Sequence, residues 1–188
     1  MSTPAHDLQI SVDEYLKLEE TSTVRHEFLD GRVFAMVGSS EAHNAIVSNL
    51  NVLIANAIRG TGCRTFVADM KVRVEATNSF YYPDVMVTCE PFMATSLYKT
   101  APRLIIEVLS PSTADIDRRE KLLAYRLIES LQQYAIVYQD ERTVEVYTRT
   151  SDRSWTLSVY HDRETLVLAP APSTELSLSL DSIYEGVI

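Results

Sequence analysis

Cysteine is scarce in this chain of 188 residues: only Cys63 and Cys89 are present. Two thiols are too few for a disulfide framework or a four-thiolate zinc site. Each lies in or beside a strand-like run, and both are expected to be reduced and structural. Long apolar runs are also missing. Nothing approaches the ~18 consecutive apolar residues of a membrane-spanning helix, and the N-terminus lacks the basic-then-apolar pattern of a secretion signal. A soluble, cytoplasmic protein is the expectation. No linker, repeat or low-complexity tract divides the sequence, so one domain over residues 1–188 is expected. Positive charge is short as well, with 17 Lys and Arg against 26 Asp and Glu and a net charge of -9. That balance argues against a protein that coats nucleic acid non-specifically, which needs a concentrated basic surface. It does not exclude a nuclease, because a metal-holding site is itself acidic and Arg118, Arg119 and Lys121 can form a local basic face.

The chain carries clear element signals. Ser11 and Glu14 are spaced as a capping box, with Ile10 placed to staple onto Tyr15, so a short helix to about Glu19 is predicted. Val24 to Val37 alternates around Asp30-Gly31, a strong hairpin signal. Ser39-Ser40-Glu41 opens a second helix, with Ile46, Val47, Leu50, Leu53, Ile54, Ala57 and Ile58 on its apolar stripe until Gly60 and Gly62 stop it. Cys63 to Val74 reads as strand bent near Asp69, followed by strands over Tyr82 to Cys89 and Leu104 to Leu109. A helix is predicted from about Asp115 to Ile128 and a strand over Tyr134 to Tyr138. Strands at Val144 to Thr148 and Trp155 to Tyr160 follow, then a Leu-rich tail broken by Pro170 and Pro172. The order implies a mixed α/β fold (α+β), a sheet flanked by helices, with an N-terminal hairpin and C-terminal antiparallel strands.

Two of those strands contain an acid where an apolar residue is expected. Asp84 interrupts Tyr81 to Val87, and Glu107 interrupts Leu104 to Leu109. An unpaired buried carboxylate costs several kcal/mol, so such acids need a cation between them or another partner. Strand-end acids in solvent, or paired with Arg, answer the same pattern. If the strands are neighbours, one register brings both carboxylates together. Two carboxylates with a backbone carbonyl, here that of Val108, and waters suit Mg²⁺ or Mn²⁺, which activates water and stabilises charge on a phosphoryl oxygen.

Tyr82-Pro83-Asp84-Val85, Ile106-Glu107-Val108-Leu109-Ser110-Pro111-Ser112-Thr113, and Asp117 with Glu120-Lys121 and Tyr125 resemble the Uma-type restriction endonucleases, a branch of the PD-(D/E)XK nuclease superfamily. The likeness continues through Arg25 to Gly31, Ala42-His43-Asn44 and Asp69 to Val74. It implies a restriction-endonuclease-like core of helix, three strands, helix and strand, and a metal-dependent cut of nucleic acid, DNA foremost. The lysine that the superfamily places two residues after the acid falls at Leu109. Lys121, on the following helix, is its substitute under the resemblance; by position alone it is an exposed partner of Asp117.

Secondary candidates each have a plainer alternative. His43 is an auxiliary site residue or a packed histidine. Glu27 is a further carboxylate or a strand acid paired with Arg25 or Arg32. Lys71 and Arg73, with Arg118 and Arg119, are phosphate contacts or ordinary wet faces, and Tyr125 walls the site or acts in it. Three functions compete: a Mg²⁺-dependent nuclease, an inactive descendant kept as a binding or assembly module, and a hydrolase of small phosphorylated molecules. A homodimer is expected, because strand edges in the C-terminal half need covering and paired sites suit cutting two strands.

Overall fold

The computed structural model describes residues 9–109 and 120–188. Helix α1 runs Val12–Thr21, its Ser11 cap and Glu14 closing a capping box in both directions. Tyr15 from this helix stacks on Phe28 and meets Phe80 at a tilt in a small core that Ile10 also joins. Strands β1 (His26–Leu29) and β2 (Arg32–Ala35) form the hairpin. Its turn residues Asp30 and Gly31 both have positive φ, the conformation that a two-residue turn of this hand demands.

Helix α2 (Glu41–Ala57) is capped by the Ser40 hydroxyl and buries His43, Ile46, Val47, Leu50 and Ile54, four apolar side chains of the predicted stripe among them. The chain then divides what the sequence suggested was one bent strand. Strands β3 (Arg64–Val67) and β4 (Lys71–Val74) lie in different sheets, separated at Ala68, whose φ is positive. The strand predicted over Tyr82 to Cys89 is shorter than expected, Val85–Thr88. After a single 3-10 turn at Glu75–Thr77, β5 (Ser79–Tyr81) stays with β4 and β6 (Val85–Thr88) pairs with β3, so Asp84 sits in the bend between sheets and not within a strand. Strand β7 (Tyr98–Lys99) and the long β8 (Pro102–Leu109) follow.

Of the helix predicted over Asp115 to Ile128, the described part is a wide turn at 120–121 leading into α3 (Leu122–Tyr125), which relaxes into turns before Ile128. Then come β9 (Gln133–Tyr138), β10 (Thr143–Arg149), β11 (Trp155–His161), β12 (Thr165–Ala171), β13 (Thr174–Ser179) and a last short helix, α4 (Leu180–Ile183). Pro170 does not end the tail strand as expected. It lies in β12 where the register with β13 slips between Leu168 and Ala171, and such an irregularity tolerates a residue without an N–H.

The central layer is a six-stranded sheet in the order β11-β10-β9-β8-β6-β3, with β8 and β9 parallel and the other pairs antiparallel. One face packs on α2, the β12–β13 hairpin and α4 through the largest hydrophobic cluster. The other face meets α3 and the five-stranded sheet β2-β1-β5-β4-β7 through Met86, Ile105, Leu109, Tyr125, Tyr134, Val72 and Tyr81. One expectation fails at the margin of the central sheet. Cys63 and Cys89 are not free thiols but form a disulfide. The register explains it: Arg64 pairs with Thr88, so the residues just outside that pair face one another.

Candidate active site

Antiparallel pairing of β6 with β8 sets Val85 opposite Ile106, so Asp84, just before β6, falls beside Glu107 where that pairing ends. The Val108 N–H donates to Asp84 Oδ2 at 2.7 Å, and His43 Nε2 lies 3.1 Å from the same oxygen. His43 reaches it from the first turn of α2, held by its own N–H to Ser40 Oγ (3.1 Å), and Ser40 Oγ donates to Gln139 Oε1 at 2.9 Å. One end of the sheet is therefore pinned to α2 through Gln139, Ser40 and His43.

Glu107 points to the other face, alternating with Ile106 and Val108, and is 3% exposed. Its Oε1 accepts the Tyr125 hydroxyl at 2.8 Å and lies 3.4 Å from Lys121 Nζ. Lys121 Nζ is also 2.9 Å from Glu27 Oε1 of β1, and its ammonium stands over the Tyr81 ring at 5.9 Å. Burial raises the Tyr125 hydroxyl well above its ordinary pKa, and the Glu107 charge adds to that. It therefore stays protonated and donating through the neutral range. Behind it, Tyr81, Tyr125 and Tyr134 meet edge to face at 5.3 Å, a wall that keeps these side chains in one orientation.

Two groups therefore lie near one another along the β6–β8 pairing: Asp84 with His43 and the Val108 N–H, and Glu107 with Lys121, Glu27 and Tyr125. Lys71 and Arg73 do not join them. Lys71 is buried, donates to the Tyr82 hydroxyl at 3.2 Å, and has its pKa lowered by that burial; Arg73 lies over Phe80 at 4.5 Å and donates to Asn78. Asp117, Arg118 and Arg119 lie outside the described residues. Residues that sequence reasoning passed over are Gln139, Ser40 and Glu145. Glu145 is 5% exposed and accepts the hydroxyls of Tyr138 (2.8 Å) and Tyr147 (3.0 Å). It stands in the cross-strand row Glu107, Ile136, Glu145, on the Glu107 face. The signal that exposed Glu107, an acid inside an apolar strand, was present in Val144-Glu145-Val146 too.

Among the described residues no group of three or more His, Cys, Asp and Glu is arranged to hold a metal ion. The donor set nevertheless suits a hard divalent cation. Asp84 and Glu107 are neighbours along the β6–β8 register, and Asp84 Oδ2 and Glu107 Oε1 accept from the donors named above. The Val108 N–H faces Asp84, and in a strand the carbonyl of a residue leaves on the same side as its N–H. Mg²⁺ keeps several waters and asks for only one or two carboxylates, so this set fits it.

Sheet order, a mixed six-stranded sheet between helices and an acid-bearing strand pair at its end define a restriction-endonuclease-like fold. The fold is shared with the crystal structure of "a putative nuclease belonging to DUF820" from Anabaena variabilis, at a TM-score of 0.77 and 22% identity, covering 95% of this chain and 99% of that one. The chain belongs to the Uma2 family, described as "Putative restriction endonuclease", whose model matches residues 12–181. Two relatives from Synechocystis sp. are uncharacterized proteins. One, slr1290, is 35% identical and covers 95% of this chain and 93% of its own length; the other, sll1609, is 37% identical over 79% and 86%.

Proposed function

We propose that this chain is a Mg²⁺- or Mn²⁺-dependent endonuclease acting on DNA, with its site at Asp84, Glu107 and Lys121. What carries the reading is the placement of Lys121: its ammonium reaches Glu107 and Glu27 from the turn that leads into α3, although the sequence lacks a lysine two positions after the acid. Asp84 and Glu107, with the Val108 carbonyl, would hold the ion. Once bound, the ion supplies an activated water and offsets charge on the scissile phosphate. Asp84 is oriented for this by the Val108 N–H and His43, so it does not rotate away when the site empties. Tyr125 fixes the Glu107 carboxylate by a hydroxyl that does not titrate near neutrality. Lys121 holds positive charge beside the position of the attacking water and the pentavalent phosphorus, which favours the transition state over the ground state. Glu27 keeps that ammonium in place.

A cytoplasmic homodimer fits such an enzyme, since paired sites cut both strands of a duplex. No helix among the described residues is long and apolar enough to cross a membrane. The test is an assay with Mg²⁺ or Mn²⁺ against duplex and single-stranded DNA and RNA, with Asp84→Ala as control. Cleavage by the native chain and none by the variant is expected, with both folded by circular dichroism. No metal-dependent cleavage of any polymer, or equal cleavage by Asp84→Ala, would favour the binding-module reading instead.

A further inference from the structure

The outer strand of the central sheet is unlike its other edges. β11, Trp155-Thr156-Leu157-Ser158-Val159-Tyr160-His161, contains no charged residue, proline or glycine, although its only sheet partner among the described residues is β10. Natural edges are blunted by charge, proline or brevity, because an open row of N–H and C=O groups invites another strand. The remaining edges follow that rule: β3 has four residues and begins with Arg64, β2 begins with Arg32, and β7 has two residues including Lys99.

The hydrogen-bond pattern says which groups are open. Asp162 N–H donates to the Arg142 carbonyl and Thr150 N–H to the Ser154 carbonyl, so even-numbered residues on this strand bond inward to β10. Trp155, Leu157, Val159 and His161 therefore turn their backbone groups outward. His161 is already used, because its N–H donates to Glu164 Oε2 and its carbonyl accepts from the Glu164 N–H. Trp155, Leu157 and Val159 are left. Their side chains share one face, and Leu157 and Val159 are 50% and 42% exposed.

We propose that two copies of this chain join by antiparallel pairing of β11 with β11 about a two-fold axis at Leu157, making one continuous sheet. In that register Leu157 meets Leu157 of the second copy, and Trp155 meets Val159, so every open residue finds an open partner. An axis at Ser158 would set Trp155 against His161, whose groups are engaged, and is disfavoured. The pairing also joins half-exposed apolar side chains on one face, where cross-strand pairs stabilise a sheet. Charge points the same way. Two chains of net charge -9 repel, and the neutral strip lets them meet without opposing like charges. The inference gives the dimer an edge and a register, and it stands whether or not the chain cuts nucleic acid.

The test is molar mass by sedimentation equilibrium across a wide concentration range. The native chain should be a dimer. Leu157→Lys, which sets two ammonium groups together on the axis, should be a folded monomer by circular dichroism. Val52→Lys, on the 55%-exposed Val52 of α2, should remain a dimer. Leu157→Cys should cross-link to a covalent dimer under mild oxidation, the native cysteines being paired already. A native monomer, a Leu157→Lys dimer, or a dimer in which Cys at 157 does not cross-link would each overturn the proposal.

Discussion

Lys121 shows how much a single side chain can change when its partners are known. By position alone it is an exposed partner of Asp117, and helix propensity alone would make Lys121→Ala harmless to stability. In the structure it is 5% exposed and sits between Glu27 and Glu107. Removing it leaves two largely buried carboxylates facing each other, a loss of about 3–5 kcal/mol. Urea denaturation of Lys121→Ala should show that loss alongside lost cleavage, and part of it should return when metal is added, because a cation replaces the one removed. Tyr125→Phe is the milder case. It takes a hydroxyl from a buried carboxylate at a cost of about 1–3 kcal/mol, measurable by the same titration. Asp152, in the turn before β11, gives a pH signature. Hydroxyls of Thr150 and Ser154 lower its pKa from 3.8 to about 2. A lowered carboxyl stabilises the fold above its unfolded pKa and loses that contribution as pH falls through its folded one. Thermal melts of native chain and Asp152→Ala should therefore differ at pH 5 and converge toward pH 2.

At the scale of elements, the capped helices and the Asp30-Gly31 hairpin were legible because their signals are local: a hydroxyl with its partner three residues on, or a turn needing positive φ. Asp84 and Glu107 drew attention for a different reason, since a carboxylate in an apolar run is costly wherever it folds. What stayed hidden depends on distant partners. Nothing in Cys63 to Val74 says that β3 and β4 part at Ala68 to join different sheets, and nothing near Gln139 says that Ser40 will bond to it. The disulfide is of this kind, being a consequence of the β3–β6 register. Its sulfurs close a loop in strands that already pair. Reduction, or Cys63→Ser, should lower stability by about 2–4 kcal/mol, seen as a lower melting temperature in reductant, without shifting the secondary structure by circular dichroism.

For the whole molecule, the candidate site lies where the two sheets meet. The chain leaves the five-stranded sheet at Tyr81 and enters the six-stranded one at Val85, and Asp84 is carried in that short crossing. Glu27 comes in from β1 and Lys121 from the turn before α3, so the candidate site draws on both sheets and closes only when they are packed together. Fold and site are for that reason hard to separate by large deletions, and single conservative changes serve better. The central claim is that Asp84 and Glu107 share one divalent ion. It is tested most directly by titrating Mn²⁺ into the apo chain and following it by calorimetry and electron paramagnetic resonance. The account predicts a stoichiometric Mn²⁺ site per chain, lost in both Asp84→Asn and Glu107→Gln while each variant remains folded. Mn²⁺ binding of equal strength in both variants, or none in the native chain, would contradict it.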